Sequence, residues 1–451
     1  MFIGRKQEMK FLEDYYNRNK NDLIVVYGRR GIGKTELLRG FSKDISCLYY
    51  TARECSEKEQ LLTMQKEWRE DNALSGEEVS FHALLMEAAQ HYSLIIFDEF
   101  NLILKNSNTF MAGIVNALKQ SYPEKKLMIV LCSSSVNWVE NDMVSTIGAD
   151  ALFISAFQKI KELTFPDIVT RFPNYSVEDC IQVYGILGGV PGYLNVWNEK
   201  RSIKENIMAL FLYKDGKLYQ EAQNFLKTEL RELALYNTIL ACLSEGKLKL
   251  NDIYDRTGFS RAKISVYLKN LIELDVVEKV FSYDTDGKDN TKKGLYRIKD
   301  RFIHFWYRFV FPNLSKLENR KMEEVYQGKI APVLEDHIST YFTNVCQEYL
   351  MLMSDFKKLD FEIVRMGQWF GKEGTIDFIG VTSQNTYFVG KSKWGNKPLD
   401  ETDFETLLEL VKQAQVEPDH YYLFSKNGFT NPLEVMAKGM DNLVLTDLED
   451  L

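Results

Sequence analysis

Leu23-Ile-Val-Val-Tyr-Gly-Arg-Arg-Gly-Ile-Gly-Lys-Thr35 is the stretch on which the fold turns. Its first five residues are apolar and largely β-branched, which predicts a buried strand ending at Gly28. A helix is predicted from Lys34 to about Lys43. Between them, GRRGIGKT (28–35) satisfies G-x-x-x-x-G-K-[ST] in the strand-to-helix setting that this pattern requires. Glycines there let consecutive backbone N–H groups turn inward around phosphate oxygens, and the following helix adds its positive end. The reading assigns phosphate binding to Gly28, Arg29, Arg30, Gly31, Ile32, Gly33, Lys34, Thr35 and Glu36. Lys34 is expected to neutralise the β- and γ-phosphates, and the Thr35 hydroxyl to complete a Mg²⁺ shell.

Working outward, residues 6–19 place Met9, Phe11, Leu12, Tyr15 and Tyr16 at helical spacing. Downstream come the short strand Cys47–Thr51, two apolar strands at Leu94–Phe97 and Leu127–Leu131, and a helical stretch around 108–120 between those two. Strands alternating with helices predict a parallel α/β sheet. Leu94-Ile-Ile-Phe-Asp-Glu99 supplies the acids that a phosphate-binding site of this class needs at the end of a neighbouring strand. Asp98 is expected to hold the metal through water, and Glu99 to orient or deprotonate the attacking water. The next strand ends in Cys132-Ser-Ser-Ser135, where Ser134 is placed to sense the γ-phosphate between the loop and the acid.

Beyond about residue 155 the strand signals thin out. Residues 161–235 read as a helical lid punctuated by Gly185, Gly188-Gly189, Pro191 and Gly192. Residues 236–300 give three short amphipathic segments with Ser260 as an N-cap, then two β-prone stretches around the polar residues 283–294, the pattern of a winged helix. Arg261, Lys263 and Lys269 fall on or beside its second helix, and Lys288, Lys292 and Lys293 fall in its wing. An aromatic helix, Phe302–Phe311, is expected to end at Pro312 within a linker spanning 301–327. Residues 328–451 begin with a helix around 328–352 and continue with strand candidates at 361–366, 375–381, 386–390 and 420–424, a further α/β domain. The phosphate-binding domain itself is bounded at 1–160.

Hydrophobic residues at 45% and charged residues at 27% exclude global disorder and a collagen-like fibre. Apolar runs such as Leu127–Cys132 fall far short of the ~20 residues that span a bilayer. The amino-terminal stretch turns charged by Arg5, so no export signal is expected and the chain is placed in the cytoplasm, with no membrane partner. Six scattered cysteines without a C-x-x-C pair argue against a disulfide framework or a structural zinc site, and the five histidines form no ligand pattern. Net charge is −8. Residues 236–300 carry 12 basic and 10 acidic side chains, whereas residues 301–451 carry 16 and 23, so only the winged-helix segment leans basic.

The motifs together resemble the AAA+/STAND-like P-loop ATPases of archaea and bacteria whose carboxy-terminal part is restriction-endonuclease-like. The resemblance rests on Phe2-Ile-Gly-Arg5, GRRGIGKT (28–35), LIIFDEF (94–100), YGILGGVPGYL (184–194) and LYRIKDRFIHFWYRFVFPN (295–313). It implies that Gly4 and Arg5 help form an adenine pocket and that Gly189 and Pro191 touch the nucleotide from the lid. It also implies a PD-(D/E)XK-type site made of Asp377, the Tyr387–Trp394 strand and Glu335. Lys391 stands where that pattern expects a glutamate, which removes a metal ligand and adds a positive charge. The fold class expected is therefore α/β multidomain: a P-loop parallel sheet with a helical lid, a winged helix-turn-helix, and a degenerate restriction-endonuclease-like α/β domain. The function expected is ATP binding and Mg²⁺-dependent hydrolysis by a molecular switch, with nucleotide setting the lid's angle. Two alternatives stay open: a regulator binding double-stranded DNA with slow or no turnover, and a defence nuclease. A protein partner or self-association is expected to receive the signal.

Overall fold

The structure, a computed structural model, describes residues 3–18, 20–70, 80–120, 126–285 and 294–451. Phe2, Lys288, Lys292 and Lys293 lie outside the described residues. The chain divides into two compact units, Met1–Glu162 with Val190–Gly192, and Leu163–Gly189 with Tyr193–Leu451.

The first unit is built on five parallel strands: β1 (Asp22–Tyr27), β2 (Cys47–Thr51), β3 (Leu94–Asp98), β4 (Met128–Ser133) and β5 (Ile154–Lys159), in the order β2-β3-β4-β1-β5. Strand residues of one parity, among them Leu23, Val25, Tyr50, Ile95, Phe97 and Leu131, share a core with Trp68, Phe81 and Phe110. Those three come from α3 (Glu57–Glu70), α4 (Phe81–His91) and the helix Phe110–Gln120. Residues of the other parity, Ile24, Val26, Ile96 and Val130, are equally buried. Both faces are thus covered, which is why β1, β3 and β4 read as continuous apolar runs. Helix α1 (Lys6–Tyr16) precedes β1, and α2 (Lys34–Ser42) follows it.

β4 lies between β1 and the acid-bearing β3. β5 is a strand the sequence reading did not foresee: Ile-Ser-Ala-Phe-Gln-Lys is half exposed along its length, so it offers no apolar run to detect.

The second unit opens with helices including Phe165–Arg171 and Val177–Leu187. Three helices, Leu233–Ser244, Leu250–Thr257 and Arg261–Glu273, then lead into the antiparallel pair β6 (Val277–Val280) and β7 (Leu295–Ile298). Ser260 caps the third helix by accepting from the Lys263 N–H at 3.3 Å. The aromatic segment does not stop at Pro312. It runs as an α-helix over Arg301–Phe305, widens to a π-helical turn over Trp306–Val310, tightens to a 3-10 turn over Phe311–Asn313 that contains the proline, and resumes as Leu314–Glu318. A proline lacks the N–H and crowds the carbonyl four residues back, and changing the local helical pitch accommodates both defects. The same sequence of turns recurs at Tyr326–Ile330 and Ala331–Val333, so the long α-helix starts at Leu334 and runs to Asp355.

A mixed sheet closes the chain: β8 (Ile363–Phe370), β9 (Thr375–Thr382), β10 (Tyr387–Lys393), β11 (Pro418–Ser425) and β12 (Leu443–Thr446), ordered β12-β11-β10-β9-β8. The first three strands pair antiparallel and the last three parallel, with helix Glu401–Ala414 crossing between β10 and β11. Among the described residues no helix is long and apolar enough to cross a membrane.

Candidate functional site

The loop between β1 and α2 takes its shape from two glycines. Gly31 and Gly33 have φ of 81° and 96°, in the region that penalises any side chain. Gly33 thereby stops the strand-side turn and lets α2 start at Lys34 with its first N–H groups facing the loop. Lys34 is 6% exposed, and its Nζ donates to the carbonyls of Gly28 at 2.7 Å and Arg29 at 3.2 Å, so the ammonium lies inside the loop's curve. Arg29 is buried and pairs with Glu162 at 3.3 Å, whereas Arg30 is exposed. Ile32 is buried, and the Glu36 side chain is exposed on α2 and pairs with Arg39.

Arg5 is 5% exposed and donates to the Ile32 carbonyl at 2.9 Å and to Glu8 at 2.9 Å. Its guanidinium therefore braces the loop from behind. Gly4, exposed with φ of 70°, precedes it. From the other side the segment Val190–Gly192 lies against the loop: the Gly192 N–H donates to the Gly31 carbonyl at 2.9 Å, and a Cβ on Gly33 would sit 3.8 Å from the Pro191 ring. Gly189 stands apart, in the second unit, with its carbonyl accepting from the Leu163 N–H.

Asp98 ends β3 and is 5% exposed. Its Oδ2 accepts from Thr35 Oγ1 at 3.0 Å and from the Tyr49 hydroxyl at 2.7 Å, and its Oδ1 accepts from the Glu99 N–H at 3.1 Å. Burial, together with the Asp98 carboxylate, pushes the Tyr49 phenol up, so Tyr49 remains a donor. Glu99 adopts a left-handed backbone, φ 55°. That turn swings its side chain toward the end of β4, where Oε2 accepts from the Ser134 N–H at 3.1 Å and the Ser134 hydroxyl at 2.7 Å. Ser133 faces inward instead and donates to Asn101 at 2.8 Å. Lys34, Thr35, Asp98, Glu99 and Ser134 thus converge through the intervening β4.

Arg5 as a loop brace and Tyr49 as a partner of Asp98 escaped the sequence reading. The signal for Tyr49 was present in the alternation of β2: Leu48 and Tyr50 enter the core, so Tyr49 must point to the opposite face. The donor set suits a hard cation held jointly with phosphate, since Thr35 and Asp98 offer adjacent oxygens. Among the described residues no group of three or more His, Cys, Asp or Glu side chains could hold a metal unaided.

The carboxy-terminal residues are all engaged with neighbours. Asp377 Oδ2 accepts from the Ser392 N–H at 2.8 Å and hydroxyl at 3.2 Å, and burial pushes its carboxyl up. Lys391 pairs with Asp403 at 2.9 Å, and Lys393 bonds the same carboxylate. Glu335 pairs with Lys426 at 2.8 Å, which also pairs with Glu178 at 2.8 Å and lies 4.5 Å over the Trp394 ring. In the winged helix, Arg261 bonds Asn251 at 3.0 Å and stacks on Tyr254, Lys263 lies 5.2 Å from the centre of the Phe259 ring, and Lys269 lies 3.6 Å from Glu273. Arg261, Ser265 and Lys269 are exposed at four-residue intervals, one face of the helix.

Loop, helix and strand order define a phosphate-binding α/β domain of the P-loop class. Residues 2–196 match the family of ATPase domains found predominantly in Archaea, residues 237–279 match the arsR family of bacterial regulatory proteins with its helix-turn-helix, and residues 306–407 match a family of archaeal and bacterial proteins of unknown function. Over its full length the chain is 27% identical to the whole of an uncharacterized protein of Methanocaldococcus jannaschii. Across 41 residues, 9% of this chain and 70% of the relative, it is 54% identical to an uncharacterized ATP-binding protein of the same organism. Among solved structures, a Walker-type ATPase of Pyrococcus abyssi superposes with a TM-score of 0.49 at 18% identity, covering 68% of this chain and 96% of the other.

Proposed function

We propose that the protein binds ATP with Mg²⁺ at the loop of its first unit, hydrolyses it, and uses the cycle as a molecular switch. The observation that carries this reading is the Thr35–Asp98 hydrogen bond, which joins the phosphate loop to the acid strand across β4. Loop N–H groups and Lys34 bind the phosphates, Thr35 and Asp98 hold the cation, and Glu99, fixed by Ser134, orients the attacking water. When bound, Mg²⁺ supplies charge neutralisation for the transferred phosphoryl group. The switch reading draws support from chain continuity. Val190–Gly192 belongs to the first unit and bonds to Gly31, while the residues on both sides of it belong to the second. A displacement of Gly31 by phosphate would therefore pull on both flanks of that segment.

The test is Mg²⁺-dependent ATP turnover by the full chain, alone and with duplex DNA. Lys34→Ala is expected to abolish nucleotide binding, and Glu99→Gln to lower turnover by about a hundredfold or more while keeping nucleotide bound. Nucleotide binding without turnover in the native protein would overturn the hydrolase assignment.

The match of residues 237–279 and the exposed Arg261/Ser265/Lys269 face favour a second reading, in which the winged helix contacts duplex DNA. Salt-dependent binding that Arg261→Ala and Lys263→Ala weaken would support it. For the carboxy-terminal domain we infer a restriction-endonuclease-like scaffold without nuclease chemistry. Support comes from the ion pairs that occupy Lys391, Lys393 and Glu335 and from the burial of Asp377. DNA cleavage lost in Asp377→Ala would contradict this.

A further inference from the structure

We infer that Tyr49 is a positioning residue that fixes the Asp98 carboxylate for the divalent cation, an inference that rests on the ATPase reading above. An ionised carboxylate has about four lone-pair positions. Three of those on Asp98 are taken: Thr35 Oγ1 and the Tyr49 hydroxyl both donate to Oδ2, and the Glu99 N–H donates to Oδ1. The Cys132 thiol, paired in register with Asp98, adjoins the same carboxylate, and these contacts together fix the direction in which it faces the cation site. The Glu99 N–H is a backbone group, and the Thr35 hydroxyl would itself be offered to the cation. Tyr49 is a side chain that donates to Asp98 and also meets the Thr35 hydroxyl, so it bears on both groups that would hold the cation without itself being one of them.

Its geometry suits that task. The register of β2 on β3 pairs Thr51 with Asp98 and Tyr49 with Ile96, so the ring starts two residues behind the carboxylate and reaches forward along the sheet. A phenol on a rigid strand spans that distance with only two side-chain torsions. A serine or threonine at residue 49 would fall short. The neighbouring Tyr50 shows the contrast, because it turns into the core and donates to Gln60 at 2.6 Å. Outer partners that orient a metal-binding carboxylate typically govern metal affinity by ten- to a hundredfold.

The test uses the full-length protein and a fluorescent, non-hydrolysable ATP analogue, titrated once in excess Mg²⁺ and once in EDTA. The ratio of the two affinities reports the coupling between nucleotide and metal. Tyr49→Phe keeps the ring and its packing on β2 and removes only the hydroxyl. It is expected to lower that ratio about tenfold, to leave the affinity in EDTA within about twofold, and to leave the melting temperature in EDTA unchanged. An unchanged ratio would overturn the inference, and so would an increased one, which would mean that Tyr49 competes with the cation. A fall in affinity in both buffers would also overturn it, since that is the mark of a packing role. If the native protein bound the analogue in neither buffer, the ATPase reading itself would fail. If the native protein bound it and Tyr49→Phe behaved identically, only the role of Tyr49 would fail.

Discussion

Ser134 meets Glu99 through two donors, its backbone N–H and its hydroxyl, and substitution by alanine removes the hydroxyl alone. Glu99 sits on a left-handed backbone that favours glycine, so its side-chain direction depends on contacts made beyond the strand end. Ser134→Ala leaves the 3.1 Å backbone bond and deletes the 2.7 Å hydroxyl bond. On the proposed mechanism, turnover should fall by about tenfold with the affinity for a non-hydrolysable analogue unchanged, a split that steady-state kinetics and direct titration would show together. Loss of analogue affinity instead would place Ser134 among the phosphate-binding groups. Cys132, two residues earlier, marks the environment behind the site: burial and the Asp98 carboxylate push its thiol well up, so it stays protonated and inert.

At the scale of elements, the loop between β1 and α2 is confined by the Val190–Gly192 segment. A Cβ on Gly192 would lie 3.2 Å from both the Cα and the carbonyl oxygen of Gly31, and neither is the movable end of a side chain. Gly192→Ala should therefore make the segment and Gly31 give way by a few tenths of an ångström, weaken nucleotide binding by up to about tenfold, and leave the sheet intact by circular dichroism. A simpler element test concerns Ser260, whose hydroxyl satisfies one of the open N–H groups of helix Arg261–Glu273. Ser260→Ala should cost about 1 kcal/mol in denaturant unfolding. The cap was legible in the sequence, as was the loop, because in both the decisive residues are contiguous. Much of the remainder was not, for physical reasons that differ. The edge strand β5 has one weakly buried face, so it lacks the apolar signature that the inner strands β1 and β4 carry. The widened turns at Trp306–Val310 and Tyr326–Ile330 keep the aromatic spacing of a helix and differ only in pitch. Tyr49 and Asp98 lie 49 residues apart, and what joins them is the register of β2 on β3, which no local pattern encodes.

At the scale of the whole molecule, the second unit contains a buried basic cluster that should make its stability depend on pH. His304 and His337 pack with ring centroids 4.8 Å apart, Arg308 lies 3.4 Å from His337 Nδ1, and the Tyr341 hydroxyl meets His304 Nδ1 at 2.5 Å. Arg301 stacks over the Tyr341 ring from the same helical segment as His304. Burial, reinforced by Arg308, brings His304 down to about 3, and burial with His304 and Arg308 as neighbours holds His337 well below the ordinary value. Both rings are therefore neutral in the fold at pH 7. In the unfolded chain they titrate near 6.5, so between about pH 3 and pH 6.5 the unfolded state binds more protons than the folded one. Stability then falls as the pH drops through this window, by about 1.4 kcal/mol per pH unit for each histidine held neutral. Unfolding midpoints measured between pH 7.5 and pH 5 should decline accordingly. A non-hydrolysable ATP analogue would identify any transition of the first unit by raising it, leaving the pH-sensitive one to the second. His304→Asn should flatten the pH slope by about one proton whatever it does to absolute stability, because the variant removes a titrating group from both states. An unaltered slope would show that His304 is protonated in the folded protein, and that burial, even with Arg308 beside it, does not keep its ring neutral.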